Sequence, residues 1–178
     1  AHAGDAAHAT AGNLNNDVGV PLTLLALRAQ HRFSVVELGM NHPGEIARLA
    51  RMAQPTVALV NNAQREHQEF MHTVRAVAEE NGAVLQSLPA GGVAVYPQDD
   101  EYTGLWDAMS AGRTRCRFAW TEGDVSAAVV LWHAGAWQFT LKTAQGTAPL
   151  QLHIAGRHNV KNACLLYTSP SPRDGLLS

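Results

Sequence analysis

Apolar positions along the chain follow two different spacings, and the change from one to the other divides it. From Pro21 to Tyr96, helix-spaced and strand-like runs alternate. Pro21–Arg28 reads as a helix with proline near its first turn, and Phe33–Leu38 as a buried strand with little alternation. Glu45–Ala53 is amphipathic at helical spacing, Val57–Val60 is a short apolar strand, Val74–Leu88 is again helical, and Gly92–Tyr96 is another strand. Helices alternating with short apolar strands predict an α/β fold with a mainly parallel sheet flanked by helices. Beyond Arg115 the period shortens to two. Asp124–Trp132, Trp137–Thr143 and Ala148–Ile154 alternate apolar and polar residues across glycine-containing turns, which predicts a small antiparallel β meander. Gly156-Arg157-His158-Asn159-Val160-Lys161-Asn162-Ala163 then reads as a turn into a new helix.

The helical pattern that begins at Asn159 is expected to stop at Ala163. The following Cys164-Leu165-Leu166-Tyr167-Thr168-Ser169-Pro170-Ser171-Pro172-Arg173-Asp174 is rich in Ser and Pro and reads as coil. It also matches the in-frame translation of a transposase-type sequencing-library adapter. Residues 1–163 are therefore expected to form one partial domain and residues 164–178 a non-native, disordered tail. The start, Ala1-His2-Ala3-Gly4, has neither an initiator Met nor a signal-peptide pattern, so the chain is expected to begin within a longer protein and to be truncated at both ends.

Composition narrows the function classes. The chain has 178 residues, 46% hydrophobic and 16% charged, enough apolar content for one globular domain with a real core. Lys and Arg number 13 against 15 Asp and Glu, a net charge of −2, which argues against a nucleic-acid or anionic-membrane surface. No apolar run approaches the roughly 18 residues of a membrane span. Cys116 and Cys164 have no metal-ligand spacing and offer no disulfide framework, which points to a reducing compartment, by default the cytoplasm.

Four polar clusters fall at strand ends or in adjoining loops. In open α/β sheets such ends face the ligand crevice. Thr10-Ala11-Gly12-Asn13-Leu14-Asn15-Asn16-Asp17-Val18-Gly19-Val20-Pro21 offers glycines for close backbone approach, with a hydroxyl and amides suited to phosphate or metal-bound water; its composition also suits a simple turn. Glu37, with Asn41, His42 and Glu45 after it, ends an apolar β-branched run where a hard cation such as Mg²⁺ would accept a carboxylate. Loop amides would satisfy Glu37 equally well, and Glu45 suits the first turn of its helix, where the dipole favours an acid. His67, in Asn61–Phe70, is a candidate metal ligand if a carboxylate from another strand end joins it, and otherwise an ordinary loop histidine. Finally, Gly156–Asn159 with Asn162 one turn on makes a polar helix start, able to offer amides to a base or ribose or simply to cap the helix.

Taken in order, these strings resemble the Mur ligases. The resemblance runs from Ala7 to Ala163. It is carried by Gly12-Asn13-Leu14-Asn15-Asn16-Asp17-Val18-Gly19-Val20-Pro21-Leu22-Thr23-Leu24, by Glu37-Leu38-Gly39-Met40-Asn41-His42-Pro43-Gly44-Glu45-Ile46, and by Gly156-Arg157-His158-Asn159. It implies the P-loop-like central ATP-binding domain of a three-domain cytoplasmic enzyme, expected to be a monomer. In this family ATP phosphorylates a substrate carboxylate, and an amine attacks the acyl phosphate to form an amide. The Asn-Leu-Asn-Asn and Asn-His-Pro-Gly-Glu strings favour the branch whose partners are UDP-N-acetylmuramoyl-tripeptide and D-alanyl-D-alanine, in peptidoglycan synthesis. Another Mur ligase, a folylpolyglutamate synthetase-like enzyme and a non-catalytic nucleotide-binding module are the alternatives.

The resemblance also implies roles. Glu37 would ligate the Mg²⁺ bridging the ATP phosphates, and His67 a second Mg²⁺ near the acyl phosphate. Thr10, Asn15 and Asn16 would line the phosphate and substrate side. Asn159 and Asn162 would reach the adenine end, with His158 supporting that turn. Two departures stand out. The family's Gly-Lys-Thr phosphate loop lies upstream of the matched residues, and no Gly-x-x-x-x-Gly-Lys-[Ser/Thr] string occurs in the chain, so the fragment alone is expected not to turn over. Many Mur ligases also carry a carbamylated lysine on the helix after the histidine loop. Here that stretch reads Ala78-Glu79-Glu80-Asn81-Gly82-Ala83, and Glu80 or Glu79 is the candidate replacement carboxylate; an acidic solvated helix face is the plainer reading of the same residues.

Overall fold

Glycine, proline and short apolar runs set the first part of the fold. The computed structural model describes residues 4–64 and 71–168. The chain divides into two units, one from Ala1–Pro55 and Ala63–Ser87, the other from Thr56–Asn62 and Leu88–Ser178.

In the first unit a single 3₁₀ turn, Gly4–Ala6, leads into strand β1, Ala7–Ala9. It pairs in parallel with β2, Phe33–Val35, with Ala7 opposite Phe33 and Ala9 opposite Val35. Helix α1, Gly19–Leu25, lies between them in sequence and carries Pro21 in its first turn, where the missing N–H costs nothing. Gly19 is required there: a Cβ would fall 2.3 Å from the Leu14 carbonyl carbon. The sequence suggested a helix running to Arg28. Instead Arg28 folds back, and its guanidinium donates to the carbonyls of Leu25 (3.1 Å) and Leu27 (2.9 Å), closing the helix end.

Helix α2, Glu45–Ala53, has the bounds its amphipathic pattern predicts and buries Ile46, Leu49 and Ala50. It packs on α3, Val74–Gln86, whose N-cap Thr73 accepts from the Ala76 amide at 3.1 Å.

The second unit is a six-stranded sheet in the order β3 (Val57–Leu59), β4 (Val93–Pro97), β5 (Thr114–Ala119), β6 (Val125–His133), β7 (Ala136–Thr143), β8 (Gly146–Leu152). The β3–β4, β4–β5 and β5–β6 pairs are parallel and the last two pairs antiparallel, so the expected meander is continuous with the parallel part. The β6–β7 hairpin turns through Ala134 (φ 49°) and Gly135 (φ 78°), the two consecutive positive-φ residues that a tight, right-twisted hairpin asks for.

Helix α4, Thr103–Met109, lies in sequence between β4 and β5, and α5, His158–Thr168, packs on β5 and β6. Val95, Phe118, Val125, Phe139 and Leu141 from the sheet meet Val160, Cys164 and Leu165 from α5 in one core. The coil expected after Ala163 is therefore corrected as far as Thr168. Cys164, Leu165 and Thr168 are buried, and that apolar face carries the helix onward. Residues 169–178 lie outside the described residues. No helix among the described residues is long and apolar enough to cross a membrane.

Candidate functional site

Parallel pairing of β1 with β2 brings two of the polar strings together at the carboxyl ends of those strands. The ladder ends with the Thr10 amide donating to the Val35 carbonyl (3.0 Å). Beyond it the backbone parts: the Glu37 amide donates to the Thr10 hydroxyl oxygen (2.9 Å) rather than to a strand carbonyl. This is why the predicted strand Phe33–Leu38 stops at Val35. Asn15 then arrives from the glycine-containing loop, and its Nδ2 donates to Glu37 Oε1 at 2.8 Å. The Gly39 amide returns to the Asn15 carbonyl at 2.7 Å. Gly39 permits this contact, since a Cβ would lie 2.6 Å from Asn15 Cγ.

Thr10, Asn15 and Glu37 thus form one connected group. Glu37 is exposed, and its second oxygen, Oε2, has no hydrogen-bond partner among the described residues. Asn16 sits beside this group with a separate task. Its Oδ1 accepts from the amides of Val18 (3.1 Å) and Gly19 (2.9 Å), closing the turn into α1. Asp17 pairs with Arg48 of α2.

The loop after Glu37 is held by two other carboxylates. Glu45 Oε2 accepts from the amides of Asn41 and His42, and its Oε1 lies 3.3 Å from His42 Nδ1. The two amides, and after them the imidazole, hold the Glu45 carboxyl below its ordinary value. A carboxyl lowered on folding adds stability that is fully present above the unfolded value, about 4.5, and is lost as pH falls through the folded value. Glu45→Gln should accordingly cost about 1–2 kcal/mol at pH 7. In urea melts at pH 7 and pH 3, the gap between parent and variant should shrink at the lower pH. A gap of equal size at both would show that the charge is not what matters.

Glu80, buried on α3, takes the amides of Gly44 (Oε2, 2.8 Å) and Ile46 (Oε1, 2.8 Å). Glu79, one position earlier, is exposed and pairs with Arg75 at 2.9 Å. His67 lies outside the described residues. Among the described residues no three His, Cys, Asp or Glu side chains form a metal-holding group. The donor set still suits Mg²⁺, which uses one or two carboxylates and completes its shell with water and phosphate oxygens; the outward Glu37 Oε2 is such a donor.

In the second unit, Asn159 and Asn162 are joined on the first turns of α5. Asn159 Nδ2 donates to the Ala155 carbonyl (2.7 Å), and Asn162 Nδ2 to Asn159 Oδ1 (3.2 Å). The His158 ring lies against Gly156, whose φ of 94° and missing Cβ make room for it. Sequence reasoning missed the supports of this turn. Arg157 stacks its guanidinium over Trp120 at 4.7 Å, and Lys161 pairs with Asp99, which also accepts the Trp120 amide. These partners come from strand ends far away in sequence, so no local pattern marks them.

Residues 1–168 match the Mur ligase middle domain. The chain is 38% identical over 156 residues to the UDP-N-acetylmuramoyl-tripeptide--D-alanyl-D-alanine ligase of Escherichia coli (strain K12), covering 86% of this chain and 34% of that protein. It is 37% identical over 154 residues to the enzyme of the same name from Haemophilus influenzae, covering 86% of this chain and 33% of that protein. A crystal structure of MurF from Acinetobacter baumannii superposes with a TM-score of 0.88 at 33% identity, over 94% of this chain and 38% of that one. The chain thus spans about a third of the length of the curated relatives it matches. Within that span, motif order, strand topology and sequence identity agree, and the chain belongs to the Mur ligase family, as part of its middle domain.

Proposed function

We propose that the chain is the central part of an ATP- and Mg²⁺-dependent ligase that joins D-alanyl-D-alanine to UDP-N-acetylmuramoyl-tripeptide. The observation that carries this reading is Glu37: an exposed carboxylate at the carboxyl end of a parallel strand pair, one oxygen fixed by Asn15 and the other without a hydrogen-bond partner among the described residues. The 38% identity to a ligase of that name supports the substrate assignment. Glu37, with His67, would hold Mg²⁺, which when bound neutralises charge on the phosphate oxygens. Asn15 orients the Glu37 carboxylate, and Thr10 fixes the backbone beneath it. Asn16 shapes the loop that faces phosphate and substrate. Asn159 and Asn162, on the turn that His158 supports, would bind the nucleotide base.

In the reaction the acceptor carboxylate attacks the γ-phosphorus of ATP, releasing ADP and leaving an acyl phosphate. The dipeptide amine then attacks the acyl carbon, loses a proton and expels inorganic phosphate as the amide forms. The decisive experiment is a phosphate-release assay on the longer protein carrying this domain and a Gly-Lys-Thr loop. It supplies ATP, Mg²⁺, D-alanyl-D-alanine and the UDP-linked tripeptide, omitting each in turn. Phosphate released only with all four present is the expected result. Release that needs glutamate and a folate in place of the cell-wall substrates would transfer the domain to the folylpolyglutamate-forming class. No release under any combination would favour a binding module.

A further inference from the structure

We propose that Glu80 is a positioning residue for Glu37, acting through the loop between them rather than on substrate. This rests on the reading of Glu37 as the metal acid. The loop from Gly39 to Ile46 is tied at both ends. At its start the Gly39 amide binds the Asn15 carbonyl, and Asn15 Nδ2 in turn holds Glu37. At its end the Gly44 and Ile46 amides bind one Glu80 oxygen each.

Between these ends Glu45 takes the amides of Asn41 and His42, and the Glu45 amide closes on the His42 carbonyl. Gly44, the N-cap of α2, sits at φ 89° and has no side chain with which to cap the helix, so α3 supplies the cap from 36 residues away. A buried carboxylate is costly unless hydrogen-bonded, and here both oxygens carry charge-assisted amide bonds at a helix start, which secures the arrangement. With Glu80 on the amides of Gly44 and Ile46 and Glu45 on those of Asn41 and His42, the loop leading into α2 acts as a fixed frame rather than as a phosphate cradle. The frame's other end sets where Glu37 stands.

The test is residue-resolved amide exchange and Mn²⁺ binding on the longer protein, comparing Glu80→Gln, Glu80→Asp and the exposed control Glu79→Gln. A glutamine keeps the size but offers only one accepting oxygen, and aspartate keeps the charge but is too short to reach both amides. Both Glu80 variants should speed exchange at Gly44 and Ile46 by about tenfold or more. The same variants should also speed exchange at Gly39 and weaken Mn²⁺ binding several-fold, while Glu79→Gln changes neither. Faster exchange confined to Gly44 and Ile46 overturns the proposal, because Glu80 would then be only a helix cap. Weakened Mn²⁺ binding without faster exchange at Gly39 overturns it too, in favour of Glu80 as a direct ligand. Glu37→Gln is measured alongside: if it leaves Mn²⁺ affinity intact, the metal reading of Glu37 fails, whereas faster exchange at Gly39 in the Glu80 variants still supports the positioning role.

Discussion

Replacing Glu37 by Gln in the longer enzyme should lower kcat/KM on the order of 100-fold or more and raise the Mg²⁺ concentration needed for half-maximal rate. The magnitude is that of weakening the hold on the Mg²⁺ that would neutralise charge on the phosphate oxygens, about 2.7 kcal/mol of barrier. Glutamine is the informative choice. Its Oε1 can still accept from Asn15 Nδ2, so the loop geometry at 2.8 Å is retained and only the charge is lost. Because Glu37 is exposed, stability should move by no more than about 0.5 kcal/mol. Asn15→Ala is the graded companion. It leaves the carboxylate but frees its rotation, and should cost roughly tenfold. Initial rates of phosphate release across a Mg²⁺ titration separate the two. A Glu37→Gln protein with near-parental rate and Mg²⁺ dependence would overturn the metal role proposed for Glu37.

The parts of this site differ in how visible they were in the sequence. Glu37 stood out because an acid ends a β-branched run, a local pattern. Thr10 and Asn15 were legible only as residues lining the phosphate and substrate side; that they hold Glu37 itself follows from the parallel pairing of β1 with β2, which no local pattern shows. β1 itself was not legible: three residues, Ala7-His8-Ala9, carry too little periodicity to register. α4 escaped for a related reason, being seven residues long with Gly104 inside it. β5 was hidden by Arg115 and Arg117, which break the apolar run; the fold pairs both with Asp107 of α4, at 3.7 and 2.8 Å. By contrast α2, with a strong stripe and Glu45 in its first turn, was read to the residue. The clamp on the loop after Glu37 was beyond sequence reading. Glu80 has the spacing of an ordinary helix acid, and only the packing of α3 on α2 turns it toward the amides. The extension of α5 to Thr168 was likewise decided by tertiary burial against the prolines that follow.

Phe118→Ala should be among the most damaging single substitutions in the second unit, costing about 3–5 kcal/mol. Phe118 is fully buried, and its register places it opposite Pro97 on β4 and Val125 on β6. The β5–β6 pairing consists of Phe118 with Val125 and Ala119 with Ser126 alone, so few backbone hydrogen bonds join the parallel strands to the meander there. Side-chain packing must supply the rest. The ring meets Val95, Phe139 and the α5 residues Val160, Cys164 and Leu165 in one core, and the Lys161 ammonium lies 5.8 Å from its centroid. Truncation removes all of these contacts and leaves a cavity that strands on both sides cannot close. For a chain of this size the loss corresponds to a fall of roughly 6–20 °C in Tm. Leu131→Ala, at a site 58% exposed on β6, should change stability by less than about 0.5 kcal/mol and serves as the control. Cys164 reports the same event chemically. Burial pushes its thiol up to about 11, so at pH 8 it should label slowly in the parent chain. In Phe118→Ala the α5 face loosens, and labelling of Cys164 should accelerate at least tenfold. Equal melting temperatures and labelling rates for the Phe118 and Leu131 variants would show that the sheet junction is held by something other than this core.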